Sequence, residues 1–495
     1  MTAASSNRYR FAVVVSVALL AGCFGTGGIV PKSTLIDAAM LDPGAAIRAT
    51  QADAGWPQQN WWERWGDAQL NDLVQRAIAG NPDMHIAQAR VNLAESLARI
   101  VGAASEPQLA GNGSFGRTRF PLYSTPQPLG GHTTWNNSVS IDFSYDLDLW
   151  GKNRAALEGA LAGVQATAAD ARAVQLALET SIVRAYVQLA LQYSLLDVQS
   201  SMLARQQHFY DIVQRRAKAG LSSPLEVSQA RTPMLAARAQ MQQTERLISL
   251  VRNQVAALAG ESPAAGDKLR RPQLTLEVPV ALPTSLPAEL IGHRPDVVSQ
   301  RWRIESTVEG IKVAKADFYP NINLVASVGL ASAAFGNFFT FVNNNAMGYS
   351  FGPAFSLPIF DAGRRQGNYG IATASYDLAV ETYNKTVLGA FQSVADQVVS
   401  LQSLAQQQSQ IEESLSSARQ AYGFAEKGYR SGITDYLNVL NAENELLQQQ
   451  QSLELTRAGR LDAWALLMQA LGGGIEPEAR SKENNSAKGT ADHAS

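Results

Sequence analysis

Cysteine is almost missing: Cys23 is the only one in 495 residues, so no disulfide can form within the chain. Charge is also scarce. Charged residues make up 17 % of the sequence and the formal net charge is −2, which leaves no basic field for nucleic acid and no lysine/arginine cluster for a polybasic lipid contact. His85, His132, His208, His293 and His493 are scattered without metal-ligand spacing, and neither a nucleophile elbow nor a phosphate loop is present. Gly111-Asn112-Gly113-Ser114-Phe115-Gly116 has the spacing of a dinucleotide loop, but it does not sit between a strand and a helix and reads as permissive strand backbone. No enzyme chemistry, metal or cofactor is implied. Beyond Gly22 no run offers about 18 consecutive apolar residues, so a transmembrane helix is not expected there, and a chain that spans a membrane must do so as β.

What is present begins at the N-terminus. Arg8 and Arg10 precede an apolar run from Phe11 to Leu20 and then Leu20-Ala21-Gly22-Cys23, the layout of a secretory signal over residues 1–22. The stretch resembles a bacterial lipobox, which implies lipidation of Cys23 after cleavage. Phe24, rather than Asp, follows it, and by the same resemblance this points to the outer membrane. Residues 23–66 read as a lipid-anchored extended segment, Gly-, Pro- and Ala-rich as far as Gly55. It closes on Trp56, Trp61, Trp62 and Trp65, half of the eight tryptophans, which are expected to pack the linker onto the body rather than to bind a ligand.

The rest of the chain is a duplication. From Asp361 to Gly472 there is no proline, charge is sparse, and the glycines cluster near the ends and around Gly428 to Gly432, the pattern of two long helices meeting at a tip. At an offset of 212 the same design recurs upstream: Gly151 falls on Gly363, Leu176 on Leu388, Gly220 on Gly432, Leu225 on Leu437, Ala230 on Ala442 and Gly260 on Gly472. Asn81-Pro82-Asp83 and Arg294-Pro295-Asp296 echo each other at 213, as do Pro107 and Pro320. The repeats are read as residues 67–270 and 271–473, with a disordered polar tail over 474–495.

Within each repeat the period changes from helical to alternating. From Trp135 to Leu149 the odd positions are apolar apart from Asn137, while the even positions from Asn136 to Asp148 are polar. Strands are expected over about 112–122, 135–149, 321–332 and 347–357, one hairpin per repeat. Helices are expected over Asn153 to Ala219 and Arg364 to Ser431, each about 67 residues and about 100 Å long, with returns over Leu225 to Ala259 and Tyr436 to Leu471. Four strands cannot close a barrel in lipid, because an open sheet leaves edge N–H and C=O groups unpaired, so closure requires other subunits. A dimer would give eight strands and a trimer 12. A soluble sandwich and a coiled-coil filament are the competing readings, but a filament does not usually insert two hairpins at a fixed point.

Four motifs carry a family resemblance. Tyr145-Asp146-Leu147-Asp148-Leu149-Trp150-Gly151-Lys152, the block from Arg294-Pro295-Asp296 to Tyr319-Pro320, Phe360-Asp361-Ala362-Gly363-Arg364, and Tyr429-Arg430-Ser431-Gly432-Ile433 with Leu437 and Ala442 resemble the outer-membrane efflux (TolC-like) family in its lipoprotein branch. The resemblance covers about residues 60 to 473. It implies a mainly α fold with membrane β: a homotrimer with a 12-stranded outer-membrane barrel, four strands per subunit, above a long periplasmic α-helical barrel. It also implies a periplasmic adaptor, an inner-membrane pump, and passive export of drugs or aromatic acids. Adaptor-docking tips match Ala219, Gly220, Leu221 and Ser222 and Ser431, Gly432, Ile433, Thr434 and Asp435. The channel constriction matches Tyr429, Asn438, Asn441 and Asn444, where relatives often carry carboxylates and arginine. Asp435 and Glu443 are the nearest acids. A protein-secretion duct shares this architecture, and a non-channel periplasmic coiled coil is the alternative from another class.

Overall fold

The computed structural model describes residues 26–37, 40–42, 44–48, 56–274, 292–332 and 338–474. Cys23, the signal-like run before it and the polar tail from residue 475 onward lie outside these residues. The chain divides into two compact units, one of Met1–Leu35, Val91–Thr167 and Gln300–Tyr383, the other of Ile36–Arg90, Ala168–Ser299 and Asn384–Ser495. Helix α1 (Ala68–Gly80) and α2 (Pro82–Ala103) lead into β1 (Gln108–Arg119) and β2 (Thr133–Asp146), followed by α3 (Lys152–Lys218) and α4 (Pro224–Leu258). The second repeat supplies α5 (Pro295–Ala316), β3 (Asn321–Ser332), β4 (Met347–Ser356), α6 (Arg364–Arg430) and α7 (Tyr436–Ala470).

In the first unit the four strands form one antiparallel sheet in the order β1-β2-β3-β4, leaving β1 and β4 as edges. The register aligns the alternation across all four. Leu109 pairs Phe143, Phe143 pairs Ala326 and Ala326 pairs Phe351; Ile141 pairs Val328, which pairs Tyr349. From Leu109, Ile141 and Phe143 across to Ala326, Val328, Tyr349 and Phe351 one face is therefore apolar, turning polar only toward the hairpin-loop end at Arg117, Arg119, Thr133, Asn137 and Ser332, and the other face carries Asn112, Ser140, Asp142, Ser327 and Ser350. Asp142 ties three strands on that polar face: it accepts from Asn112 Nδ2 at 2.7 Å, Ser140 Oγ at 2.9 Å and Ser327 Oγ at 2.5 Å. Asn137, on the same face as Phe115 and Trp135, is buried and satisfied. Its Nδ2 donates to Phe338 O at 2.9 Å and its Oδ1 accepts from Gly116 N at 3.2 Å, while Phe338 packs on Trp135 and Phe115. The glycine-rich run lies inside β1.

Three strand limits differ from expectation. β1 starts at Gln108 rather than near 112 and stops at Arg119, before Pro121, and β2 stops at Asp146 although the alternation continues to Leu149. The end of β2 is set by Asp148, which takes a left-handed φ of 42° and turns its carboxylate onto the start of α3, accepting from Asn153 N and Arg154 N, each at 2.9 Å. Asp361, its counterpart at an offset of 213, accepts from Arg365 N and Nε at the start of α6. Each hairpin thus hands over to a 67-residue helix through an aspartate cap.

In the second unit the duplication is visible in backbone crossings. A Cβ on Gly260 would stand 2.5 Å from Gly80 O, and one on Gly472 would stand 2.2 Å from His293 O; both glycines hold positive φ. Trp61, Trp62 and Trp65 are buried, with Trp61 and Trp65 packed on Trp464 at ring distances of 5.7 and 5.8 Å, and Trp56 stacks on His293. The tryptophans fasten the linker to the body. Asp67 caps α1 through Gln69 N and also accepts from Tyr186 OH at 2.7 Å and Gln273 N at 2.8 Å.

Glu179 on α3 is 4 % exposed, with Gln175 Nε2 donating to it at 2.8 Å, and burial pushes its carboxyl from 4.5 to about 7. The folded state then holds its proton more tightly than the unfolded chain, so stability is greatest below about pH 4.5 and is lost as pH rises toward 7. Between about pH 5 and 8 this costs roughly 3 kcal/mol. Glu179→Gln should flatten that slope, read as a smaller drop in thermal midpoint across this range; an unchanged slope would contradict the assignment.

Candidate functional site

The two helix turns of the second unit share one geometry. Gly220 and Gly432 adopt φ of 75° and 70°. Leu221 N donates back to Arg216 O at 2.8 Å and Ile433 N to Gly428 O at 2.9 Å, the bond that closes a helix ending in a left-handed glycine. The next helix starts on a side-chain cap in both cases: Ser223 accepts from Glu226 N and Asp435 from Asn438 N. These compact turns expose Leu221, Leu225, Ile433 and Leu437, an apolar tip with no covering partner in the described chain. Ala219, Gly220, Ser431 and Gly432 are exposed around it, with Ser222 and Thr434 half-buried.

Above the tips Val213, Ala230, Tyr436 and Val439 form a buried cluster across the two repeats. Phe209 stacks on Tyr436 at 4.1 Å, and Tyr429 packs on Phe209 at 5.2 Å with Arg216 over its ring. Tyr429 therefore commits its ring to the helix core. The asparagines behave differently, since Asn438, Asn441 and Asn444 are all exposed along α7. Asn438 is held by its own turn, its Nδ2 donating to Asp435 Oδ1 at 2.8 Å.

Neither nearby acid is free. Asp435 is spent on the helix cap, and Glu443 is 4 % exposed and paired with Arg205 Nε of α3 at 3.2 Å. Burial pushes the Glu443 carboxyl up against the opposing pull of Arg205, whose guanidinium also lies over Tyr422. Tyr436 is pushed up to about 12, mainly by burial. Sequence reasoning named Glu443 but not Arg205, because nothing in the helical period marks which polar residue of α3 meets α7. Among the described residues no group of His, Cys, Asp and Glu is arranged to hold a metal, and no helix is long and apolar enough to cross a membrane.

A sheet with one apolar and one polar face, open at both edges and capped directly onto paired long helices, defines a protein built to sit in an outer membrane as β and to continue outside it as helix. The chain belongs to the outer membrane efflux protein family, whose model matches residues 73–261 and again 286–473, one match per repeat. It is 44 % identical over 375 residues to the fusaric acid resistance protein FusA of Burkholderia cepacia, covering 75 % of this chain and 70 % of that one. It is 30 % identical over 441 residues to the multidrug resistance outer membrane protein MdtP of Escherichia coli K12, covering 86 % and 88 %. Among solved structures it matches the outer membrane protein VceC of Vibrio cholerae with a TM-score of 0.79 and 32 % identity, over 85 % of this chain and all of that one. The CmeC channel of Campylobacter jejuni shares the fold at a TM-score of 0.82 and 21 % identity. The protein is an outer-membrane efflux channel.

Arg205→Ala should destabilise the fold by about 3 kcal/mol, because it leaves a buried carboxylate unpaired. The loss should be larger at about pH 8 than at pH 5, where Glu443 can take up a proton instead. Glu443→Gln should cost less at either pH. Thermal unfolding followed by circular dichroism checks all three, and equal losses at both pH values would show that the pair does not govern this contact.

Proposed function

We propose that three copies of this chain close a 12-stranded barrel above a helical tunnel. The complex acts as the passive exit duct of a tripartite pump, with a periplasmic adaptor on the tips and an inner-membrane pump supplying the energy. One observation carries the reading. The two edges of the sheet, β1 and β4, adjoin α2 and α6, and each of these helices exposes an apolar stripe, Leu93, Leu97 and Ile100 on one and Ile371 and Leu378 on the other. Joining copies edge to edge satisfies the backbone and covers both stripes in one step. The resulting contact is head-to-tail and closes into a ring.

The lipid anchor fits the same arrangement. Gly27 lies against Gln366, in the first turn of α6, and Lys32 N and Ser33 N both donate to Asp377 Oδ1, at 2.9 and 3.0 Å. Cys23 precedes Gly27 by only four residues in the sequence, and Gly27 lies where strand gives way to helix. A lipid on Cys23 would enter the bilayer there.

Toxic small organic molecules are the substrates we infer, on the strength of relatives named for fusaric acid and multidrug resistance. Sensitivity profiling of a deletion strain tests this: lost resistance to aromatic acids or drugs, restored by the intact gene, is expected, and an unaltered profile would contradict it. The tunnel narrows at Asn438, Asn441 and Asn444, where amides of three subunits meet as neutral donors and acceptors. Combined Asn438→Ala and Asn441→Ala substitution should raise single-channel conductance in planar bilayers; unchanged conductance would remove these residues from the constriction.

A further inference from the structure

Beneath the sheet, the first turns of α3 and the last turns of α5 enclose an open cleft of about 600 Å³. We propose that this cleft holds the phosphate headgroup of a glycerophospholipid from the leaflet that faces the helices. The proposal rests on the reading of the strands as bilayer-spanning.

The order of chemistry along the chain supports it. The apolar face of β2 runs through Phe143 and Tyr145, and past the end of the strand the odd positions continue as Leu147 and Leu149, both exposed. Next comes Trp150, stacked on Tyr319 with ring centroids 4.7 Å apart and an interplanar angle of 20°, and its indole N–H donates to Pro320 O at 2.7 Å. Below the aromatic pair stand Arg154, Lys312 and Lys315. Hydrocarbon, aromatic ring and cation, in that sequence, is the profile of a membrane interface, where amphipathic rings sit at headgroup level and long basic side chains reach for phosphate.

The charges within the cleft are unequal. Arg154 pairs with Glu158 at 3.0 Å and Lys312 with Glu309 at 2.6 Å, both acids lining the same cleft. Lys315 is exposed and pairs with no acid among the described residues. Three cations against two carboxylates leave one positive charge, which a phosphodiester would neutralise. Leu149 explains why the occupant is a lipid rather than a soluble phosphate. It lies on the cleft wall and continues the apolar series of the strand, so a headgroup among the cations would run its acyl chains up an apolar surface already present.

Native mass spectrometry of the full-length assembly, with phosphatidylglycerol and uncharged diacylglycerol as probes, tests the site. The unaltered protein should retain phosphatidylglycerol in preference to diacylglycerol, and combined Lys312→Ala and Lys315→Ala substitution should weaken retention by at least about tenfold. Arg246→Ala, which removes an exposed charge from α4, should leave retention unchanged. Equal retention by the double variant, equal loss in the Arg246→Ala control, or displacement by inorganic phosphate alone would each overturn the headgroup site. Insertion into planar bilayers separates this from the channel reading: a protein that inserts and conducts but shows no lipid preference sinks only the cleft proposal, whereas one that never inserts sinks the channel.

Discussion

The unpaired backbone at β1 and β4 is the constraint on which the rest of this structure depends. In water a sheet edge is a hazard managed by charge or by covering, but in hydrocarbon each free N–H or C=O costs several kcal/mol and no side chain can repair a whole row of them. The four-stranded sheet is built as if those edges will be filled. Its apolar face runs across all four strands, its polar face is tied together by Asp142, and β1 and β4 are left without a second neighbour. The apolar stripes on α2 and α6 repeat the arrangement in helix, so backbone and side chains ask for the same neighbour.

Duplication makes this economical. Each repeat contributes a hairpin, an aspartate cap that turns the hairpin into a long helix, a glycine-closed tip, and a returning helix ended by a glycine that touches backbone. Asp148 and Asp361 do equivalent work although their surroundings differ, and Gly260 and Gly472 do so at crossings too close for any Cβ. The two repeats diverge where function is expected to differ. The second return, α7, carries the exposed asparagines and the buried Glu443 that meets Arg205 of the first repeat.

Much of the fold was legible in the sequence because it rests on periods and punctuation. The switch from a 3.6-residue period to strict alternation marks the strands, and the spaced glycines mark the tips. The misplaced end of β2 shows where such reading stops: alternation at Leu147 and Leu149 is real, but the strand had already ended, since one left-handed aspartate outweighs a hydrophobic pattern. The site was less legible. Tyr429 and the three asparagines lie close together in sequence, yet the tyrosine packs inward on Phe209 while the asparagines face out, a choice made by long-range packing. Asp435 and Glu443 read as available acids, but one is a helix cap and the other half of a buried pair whose partner is 238 residues away. Pairings between distant helices leave no local trace.

In the proposed assembly the edges of the sheet are filled by two neighbouring copies in a closed ring of three. Its most direct test is a disulfide ladder from a variant with one cysteine in β1 and one in β4, starting from Asn112→Cys with Ser350→Cys and scanning neighbouring registers. Oxidation in the membrane should join subunits into products of one, two and three chains and no more. A ladder that stops at two chains, runs past three, or never leaves the monomer at any register would contradict the account.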